Sequence, residues 1–158
     1  MICYLFILTL FSFDQSISYQ KKLTKSFEDR LKTCNLIVAE SKSQDVDPLL
    51  ALSIAWQETK FTSNAVSPSG NHFGAMQVLP SLWCENKTKK NCDLIKAGVF
   101  ALRTYLEINN FDEFKAVSGY AGKGKGANDY AKKVLKTKTQ IKLVLESLPY
   151  DNLIIFEK

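Results

Sequence analysis

Apolar residues recur at steps of three and four along most of this chain, and this spacing constrains its fold more than any other feature. Such spacing is typical of helices with one buried face, whereas a half-buried strand alternates apolar and polar residues. A strand-like run is confined to residues 153–156. We therefore predict a mainly α fold in a single compact domain, for which 158 residues and 46% hydrophobic content are sufficient.

Start and stop signals divide the chain into helices. An amphipathic helix of about twenty residues follows Tyr19. Asp47 and Pro48 form an N-cap and a first-turn proline for the next helix, which ends near Glu58. Four further helices are predicted: a short one from near Gly74 to Pro80, one that starts at Asp93, one over 111–117, and a long one from Asn128–Asp129 to Pro149. The Gly-Lys run at 122–126 separates the last two.

The first eighteen residues contain no Lys or Arg and only one acidic residue, and residues 2–13 are almost wholly apolar. This run is too short to span a bilayer but suits the core of a secretory signal. Ser16 and Ser18 are small residues placed for cleavage before Tyr19. We predict a signal peptide over 1–18, and an uncleaved apolar anchor is the alternative.

An oxidising compartment would favour disulfides between exported cysteines. Cys84 and Cys92 are separated by seven polar residues, and we predict that they are bonded. Cys34 lies on the apolar face of the first amphipathic helix and is predicted to be a buried free thiol, because Cys3 would leave with the signal. One histidine and no Cys-x-x-Cys pair argue against zinc, and we predict neither a metal site nor a cofactor.

The residues that carry chemistry are concentrated between 56 and 80. Glu58 ends an apolar helix, a loop rich in Ser, Asn, Pro and Gly follows, and residues 74–77 read Gly-Ala-Met-Gln. Cleavage of a glycosidic bond needs a carboxylic acid with a raised pKa, which burial supplies. Residues 59–73 contain no Asp or Glu, so a second carboxylate could come only from distant positions such as Glu85, Asp93, Asp112 or Asp129.

This segment resembles the catalytic core of lytic transglycosylases of the soluble-type (SLT) family, which belong with the goose-type lysozymes. Glu58 stands where that family has its catalytic acid, although Thr59 replaces the serine that usually follows it. Residues 67–70, Ser-Pro-Ser-Gly, match its Ser-Pro-x-Gly turn, and residues 74–77 match its Gly-Leu-Met-Gln. The resemblance extends from Asp47 to Leu135 and implies a lysozyme-like helical domain. It divides the chain into the signal, an N-terminal helix over 19–46, a catalytic domain over 47–148 and a tail over 149–158.

The resemblance also implies roles for individual residues. Ser67 would lie near the N-acetyl group of the substrate, and Gln77 would hydrogen-bond a sugar. Met76 and Leu79 would line the groove, although core packing explains both equally well.

The family's last motif, Ala-Tyr-Asn-Ala-Gly, is irregular in this chain, where residues 118–122 read Ser-Gly-Tyr-Ala-Gly. Either Tyr120 is the family tyrosine beside the acid, or it occupies the Asn position. We favour the first, in which the Tyr120 hydroxyl bonds the Glu58 carboxyl and contributes to the substrate site. Tyr130 fits a closing Tyr-x-x-x-Val-Leu pattern, as a site residue or a packing residue.

The implied activity is cleavage of the β-1,4 bond between N-acetylmuramic acid and N-acetylglucosamine, with a 1,6-anhydro product and Glu58 as the single acid and base. Hydrolysis of the goose-type lysozyme kind is one alternative, since residues 71–78 resemble that group's Asn-Gly-Phe-Gly-Leu-Met-Gln-Val. A catalytically inactive wall-binding module is another.

Removal of residues 1–18 would leave 21 basic and 15 acidic residues, a net charge of +6. The lysines are scattered and no nucleic-acid module is present, so we predict no nucleic-acid partner. An anionic cell wall accounts for the charge. We expect a monomer that is exported to the periplasm or cell wall, acts on glycan strands, and serves a bacterium, a secretion or conjugation apparatus, or a phage.

Overall fold

The computed structural model describes residues 2–13, 23–122 and 124–147, and these ranges contain seven helices and no strand beyond isolated bridges. The predicted mainly α fold is confirmed. The strand-like run at 153–156 and the tail lie outside the described residues. The helices are α1 (Ile2–Phe13), α2 (Leu23–Ser43), α3 (Pro48–Thr59), α4 (Pro80–Trp83), α5 (Leu94–Ile108), α6 (Glu113–Tyr120) and α7 (Lys125–Glu146).

Helix α3 is the centre of the fold, because its residues 50–56 are all buried. A helix that is apolar on every side needs neighbours around it. Helices α2 and α7 both pack against α3, and α6 packs between α5 and α7. The predicted start of α3 is present, since the Asp47 side chain accepts a hydrogen bond from the Leu49 amide at 2.8 Å and Pro48 is the first helical residue.

Polar side chains set the position of α7 against its neighbours. The Lys138 ammonium lies 2.7 Å from the Asp47 carboxylate and 2.5 Å from the Glu113 carboxylate, which joins α7 to the starts of α3 and α6. On α3, the Gln57 amide donates to the Thr137 hydroxyl at 2.9 Å. These contacts matter for the site because α7 also carries Tyr130.

The segment between α3 and α4 is a small antiparallel ladder. Val66 pairs with Phe73, and Phe73 pairs with Val78. The predicted helix from Gly74 to Pro80 is wrong: Gly74 and Gln77 have φ angles of 77° and 50°, which a right-handed helix excludes. Pro80 begins α4 instead of ending a helix, as its fixed φ favours.

Helix α7 begins at Lys125, three residues before the predicted start at Asn128. Gly124, with a φ of 113°, is its N-cap. The Gly-Lys run at 122–126 was predicted to separate the two helices, and its last two residues instead belong to α7. Lys125 and Gly126 at the start of α7 are exposed, and no other atom lies within 4 Å of a Cβ built at Gly126.

Helix α1 packs against α2, and Cys3 is bonded to Cys34. The prediction of a free thiol at Cys34 is therefore wrong for the full chain, because the helix brings the two cysteines together. Phe6 is buried against Phe61, with ring centroids 5.6 Å apart. Removal of residues 1–18 stays a prediction from the sequence. No helix in the described ranges has the length and apolarity needed to cross a bilayer.

A second disulfide joins Cys84 to Cys92, the pair expected from their spacing. The bond closes a short exposed loop between α4 and α5. Asp93 follows this loop directly and caps α5 by accepting from the amides of Ile95 and Lys96.

Candidate active site

Glu58 lies in the last turn of α3, where the chain leaves the helix abruptly. Lys60 and Phe61 have φ angles of 54° and 65°, and the Lys60 amide donates to the Trp56 carbonyl at 3.1 Å. The Arg30 guanidinium of α2 donates to the Lys60 carbonyl. The buried ring of Phe61 then anchors the turn in the core, so the end of α3 is held from two directions.

The Glu58 carboxyl is largely removed from water and accepts a hydrogen bond from the Tyr130 hydroxyl at 2.6 Å. Burial raises the pKa of Glu58, and the bond from Tyr130 lowers it in part. No other carboxylate of the described residues contributes to this shift. A carboxyl with a raised pKa keeps its proton closer to neutral pH, as a general acid requires.

Thr59 ties the end of α3 to the ladder. Its hydroxyl donates to the Ala75 carbonyl at 2.9 Å and accepts from the Thr62 amide at 3.1 Å. A serine hydroxyl could make the same two bonds, so threonine at the position of the family's serine retains this contact.

The turn at 74–77 depends on glycine. Gly74 has a positive φ, and a Cβ there would lie 3.1 Å from the Leu94 side chain. The Gln77 amide nitrogen donates within the same turn, to the Gly74 carbonyl at 3.0 Å. Its contact with a sugar stays a prediction.

Met76 is 1% exposed, and its side chain packs against the face of α5 at Gly98. A Cβ at Gly98 would lie 2.9 Å from both Cβ and Sδ of Met76, so only glycine allows this approach. Of the two interpretations of Met76, a groove lining or core packing, core packing therefore describes its side chain. Leu79 is half-buried beside it, before α4, and its contact with substrate stays a prediction.

Tyr120 does not bond the acid, which corrects the preferred interpretation of the irregular motif. Its hydroxyl donates to the Met76 carbonyl at 2.8 Å, and Tyr130 holds Glu58 instead. Burial raises the pKa of both tyrosines, and the charge of Glu58 raises it further. Tyr120 therefore lies close to the acid and acts on the backbone beside it.

Ser67 lies in an exposed turn at the end of the ladder. Its hydroxyl contacts that of Ser69 at 3.0 Å and accepts from the His72 amide at 3.1 Å. The structure therefore places Ser67 in a defined local network, and its proximity to an N-acetyl group stays a prediction.

Two contributors to the site were not anticipated from the sequence. Thr59 was noted only as a departure from the family's serine, and its bond to Ala75 crosses between two segments. Tyr105 packs edge-on against Tyr120, with ring centroids 6.3 Å apart, and its ring covers Gly119, where a Cβ would lie 2.8 Å from it. The glycine before Tyr120 was the available signal, since a small residue there accommodates a ring.

Comparison with models of known protein families assigns the chain to one of them. The family described as Transglycosylase SLT domain matches residues 35–144, which is more than half of the chain and includes Glu58, Tyr120 and Tyr130. A comparison with curated proteins gives no match. Membership implies peptidoglycan as the substrate. The chain therefore belongs to the transglycosylase SLT family.

Proposed function

We propose that the protein is a peptidoglycan lytic transglycosylase in which Glu58 acts alone as acid and base. The observation that carries this proposal is the burial of Glu58, which raises its pKa even though the hydrogen bond from Tyr130 lowers it in part. The Tyr130 hydroxyl engages Oε1, so Oε2 is the oxygen that would carry the proton.

In the proposed reaction, protonated Glu58 donates its proton to the glycosidic oxygen as the bond to C1 of N-acetylmuramic acid breaks. The resulting carboxylate then takes the proton of the sugar's own 6-hydroxyl while that oxygen bonds C1. An anhydro ring forms, no water is consumed, and Glu58 ends protonated for the next turnover.

The other carboxylates support this single-acid scheme, because each of the four candidates is engaged or exposed elsewhere. Asp93 and Asp112 cap α5 and α6, Asp129 forms an exposed pair with Lys132, and Glu85 is exposed on the disulfide loop. A hydrolase with two carboxylates needs the second about 5–10 Å from the first.

Analysis of products tests the proposal. Purified murein should give muropeptides with 1,6-anhydro ends, detected by mass spectrometry as products 18 mass units lighter than reducing ones, the mass of one water. Reducing ends would mean hydrolysis of the goose-type kind, and no release would mean a wall-binding module. We also propose that the protein is exported and acts on the wall for its bacterium, an apparatus that crosses the wall, or a phage.

A further inference from the structure

A concave surface lies apart from Glu58, and we name it the lateral cleft. It has a volume of about 840 Å³ and is formed by the end of α2, the disulfide loop at 84–92 and the first half of α5. Its size is within the range of about 300–1,000 Å³ that is usual for ligand sites. Glu58, Gln77, Tyr120 and Tyr130 do not line it.

Two aromatic rings form the apolar part of the lateral cleft. Trp83 and Phe100 meet edge-on, with ring centroids 6.3 Å apart, and Phe100 is 54% exposed. Trp83 also packs on Tyr105 at 5.7 Å, which fixes its ring from behind. A held aromatic ring in a concave surface offers an apolar face to the C–H side of a sugar ring.

The polar part combines uncharged hydrogen-bonding residues and charged residues in equal number. Asn86 and Asn91 of the disulfide loop line the cleft, together with three acidic and two basic residues. This balance does not favour a polyanion such as nucleic acid, which needs concentrated positive charge. Amides and carboxylates pair with hydroxyl and N-acetyl groups, which a glycan presents along its length.

The lateral cleft is held in shape by covalent and polar links. Cys84 and Cys92 both line it, so their disulfide restrains the loop that forms one wall. The Gln44 amide donates to the Lys96 carbonyl at 3.2 Å and joins the α2 wall to the α5 wall. A preformed cleft binds without first losing the entropy of ordering its walls.

We propose that the lateral cleft is a second saccharide site, which binds N-acetylated glycan away from the catalytic acid. The identity of this ligand rests on the proposed function, because the polymer that is cleaved is also the glycan within reach. Attachment at a second point would keep the enzyme on a polymer between cleavages by raising the effective concentration of bonds at Glu58.

Nuclear magnetic resonance can locate the binding in ¹⁵N-labelled Glu58→Gln protein, which lacks the proposed catalytic acid. On titration with tetra-N-acetylchitotetraose, the side-chain amides of Asn86 and Asn91 and the indole N–H of Trp83 should shift and saturate. Phe100→Ala in the same background should weaken this binding by about fivefold, as the loss of one aromatic contact predicts.

Phe111→Ala is the matched control, because Phe111 is 57% exposed and does not line the lateral cleft. The amide spectrum of each variant verifies its fold.

Unmoved cleft signals at millimolar saccharide, or equal weakening by both variants, would overturn the proposal. So would shifts caused by the tripeptide L-alanyl-γ-D-glutamyl-L-lysine and not by the saccharide. If the parent protein cleaves murein but the cleft signals do not shift, only the proposal of a saccharide site in the lateral cleft is lost. If the cleft binds saccharide but the parent does not cleave murein, only the proposed catalytic function is lost.

Discussion

The two sides of the candidate active site are built in different ways. On one side, Glu58, Thr59 and the turn at 74–77 belong to one continuous segment, and their mutual bonds span at most 16 residues. On the other, Tyr130 reaches Glu58 across 72 residues and Tyr120 reaches Met76 across 44. We call the continuous segment with Glu58 the near side, and the two tyrosines of α6 and α7 the far side. The near side carries the reactive carboxyl, and the far side controls the proton of that carboxyl and the backbone next to it.

The far side is itself divided between two tyrosines with similar burial. Tyr130 contacts the carboxyl and therefore acts on its protonation, whereas Tyr120 contacts a carbonyl and acts on the position of the turn. A hydrogen bond to a charged group contributes about twice as much as one between neutral groups. The comparison thus predicts unequal effects for mutations that each delete one hydroxyl.

Glu58→Gln should have the largest effect. It retains the shape and the bond from Tyr130 but removes the proton, so murein cleavage should fall by at least about 10²-fold, and up to about 10⁴-fold. Release of muropeptides measures this directly, and circular dichroism verifies the fold. Activity within about tenfold of the parent would remove Glu58 from the mechanism.

The same variant has a readout that does not depend on turnover. Because burial raises the pKa of Glu58, the folded protein binds this proton more tightly than the unfolded chain. That contribution to stability is fully present below the unfolded pKa of about 4.3 and is lost as the pH rises through the folded pKa. Denaturant unfolding should therefore show that Glu58→Gln gains stability relative to the parent as the pH rises through this range.

Tyr130→Phe should have the second largest effect. It deletes a hydrogen bond to a charged group, which contributes roughly 1.5–3 kcal/mol, so turnover should fall by about 10- to 150-fold with little change in KM. The lost bond normally lowers the pKa of Glu58. The alkaline limb of the pH–rate profile should therefore move to higher pH. An unchanged limb would show that Tyr130 serves packing alone.

Tyr120→Phe should have a smaller effect on turnover, below about tenfold, because its hydroxyl bonds a neutral carbonyl. The free energy of unfolding should fall by about 1–2 kcal/mol, since the buried Met76 carbonyl loses a partner. Thermal unfolding and kinetics of the two Tyr→Phe variants should be measured side by side. A greater loss of turnover in Tyr120→Phe than in Tyr130→Phe would reverse the division described above.

Thr59→Val should have the smallest effect, on the near side. It replaces a hydroxyl that joins α3 to the Ala75 carbonyl, and we expect a stability loss of about 1 kcal/mol and a loss of turnover of a few fold. Thr59→Ser is the control, because it retains the hydroxyl and should behave within about twofold of the parent. A loss in Thr59→Ser with none in Thr59→Val would assign the role of Thr59 to its methyl group, which valine keeps and serine lacks.

Prediction from the sequence succeeded where local chemistry decides the structure. The start of α3 at Asp47–Pro48 and the start of α5 after Asp93 follow from side chains that cap the adjacent backbone. It failed at 74–80, where apolar spacing suggested a helix but positive φ angles at Gly74 and Gln77 produce a turn. It also failed for Cys34, because its partner lies in a segment interpreted as a leader.

The sequence by itself determined the helical fold, the family and the position of the acid at the end of α3, because these depend on spacing and on motifs within short segments. Only the tertiary structure decided which tyrosine holds Glu58. Tyr120 and Tyr130 lie ten positions apart on α6 and α7, and both can reach the same region. The packing of α7 against α3, through Lys138 and Thr137, directs Tyr130 to the carboxyl. A contact between distant segments depends on how helices pack, and no local pattern encodes it.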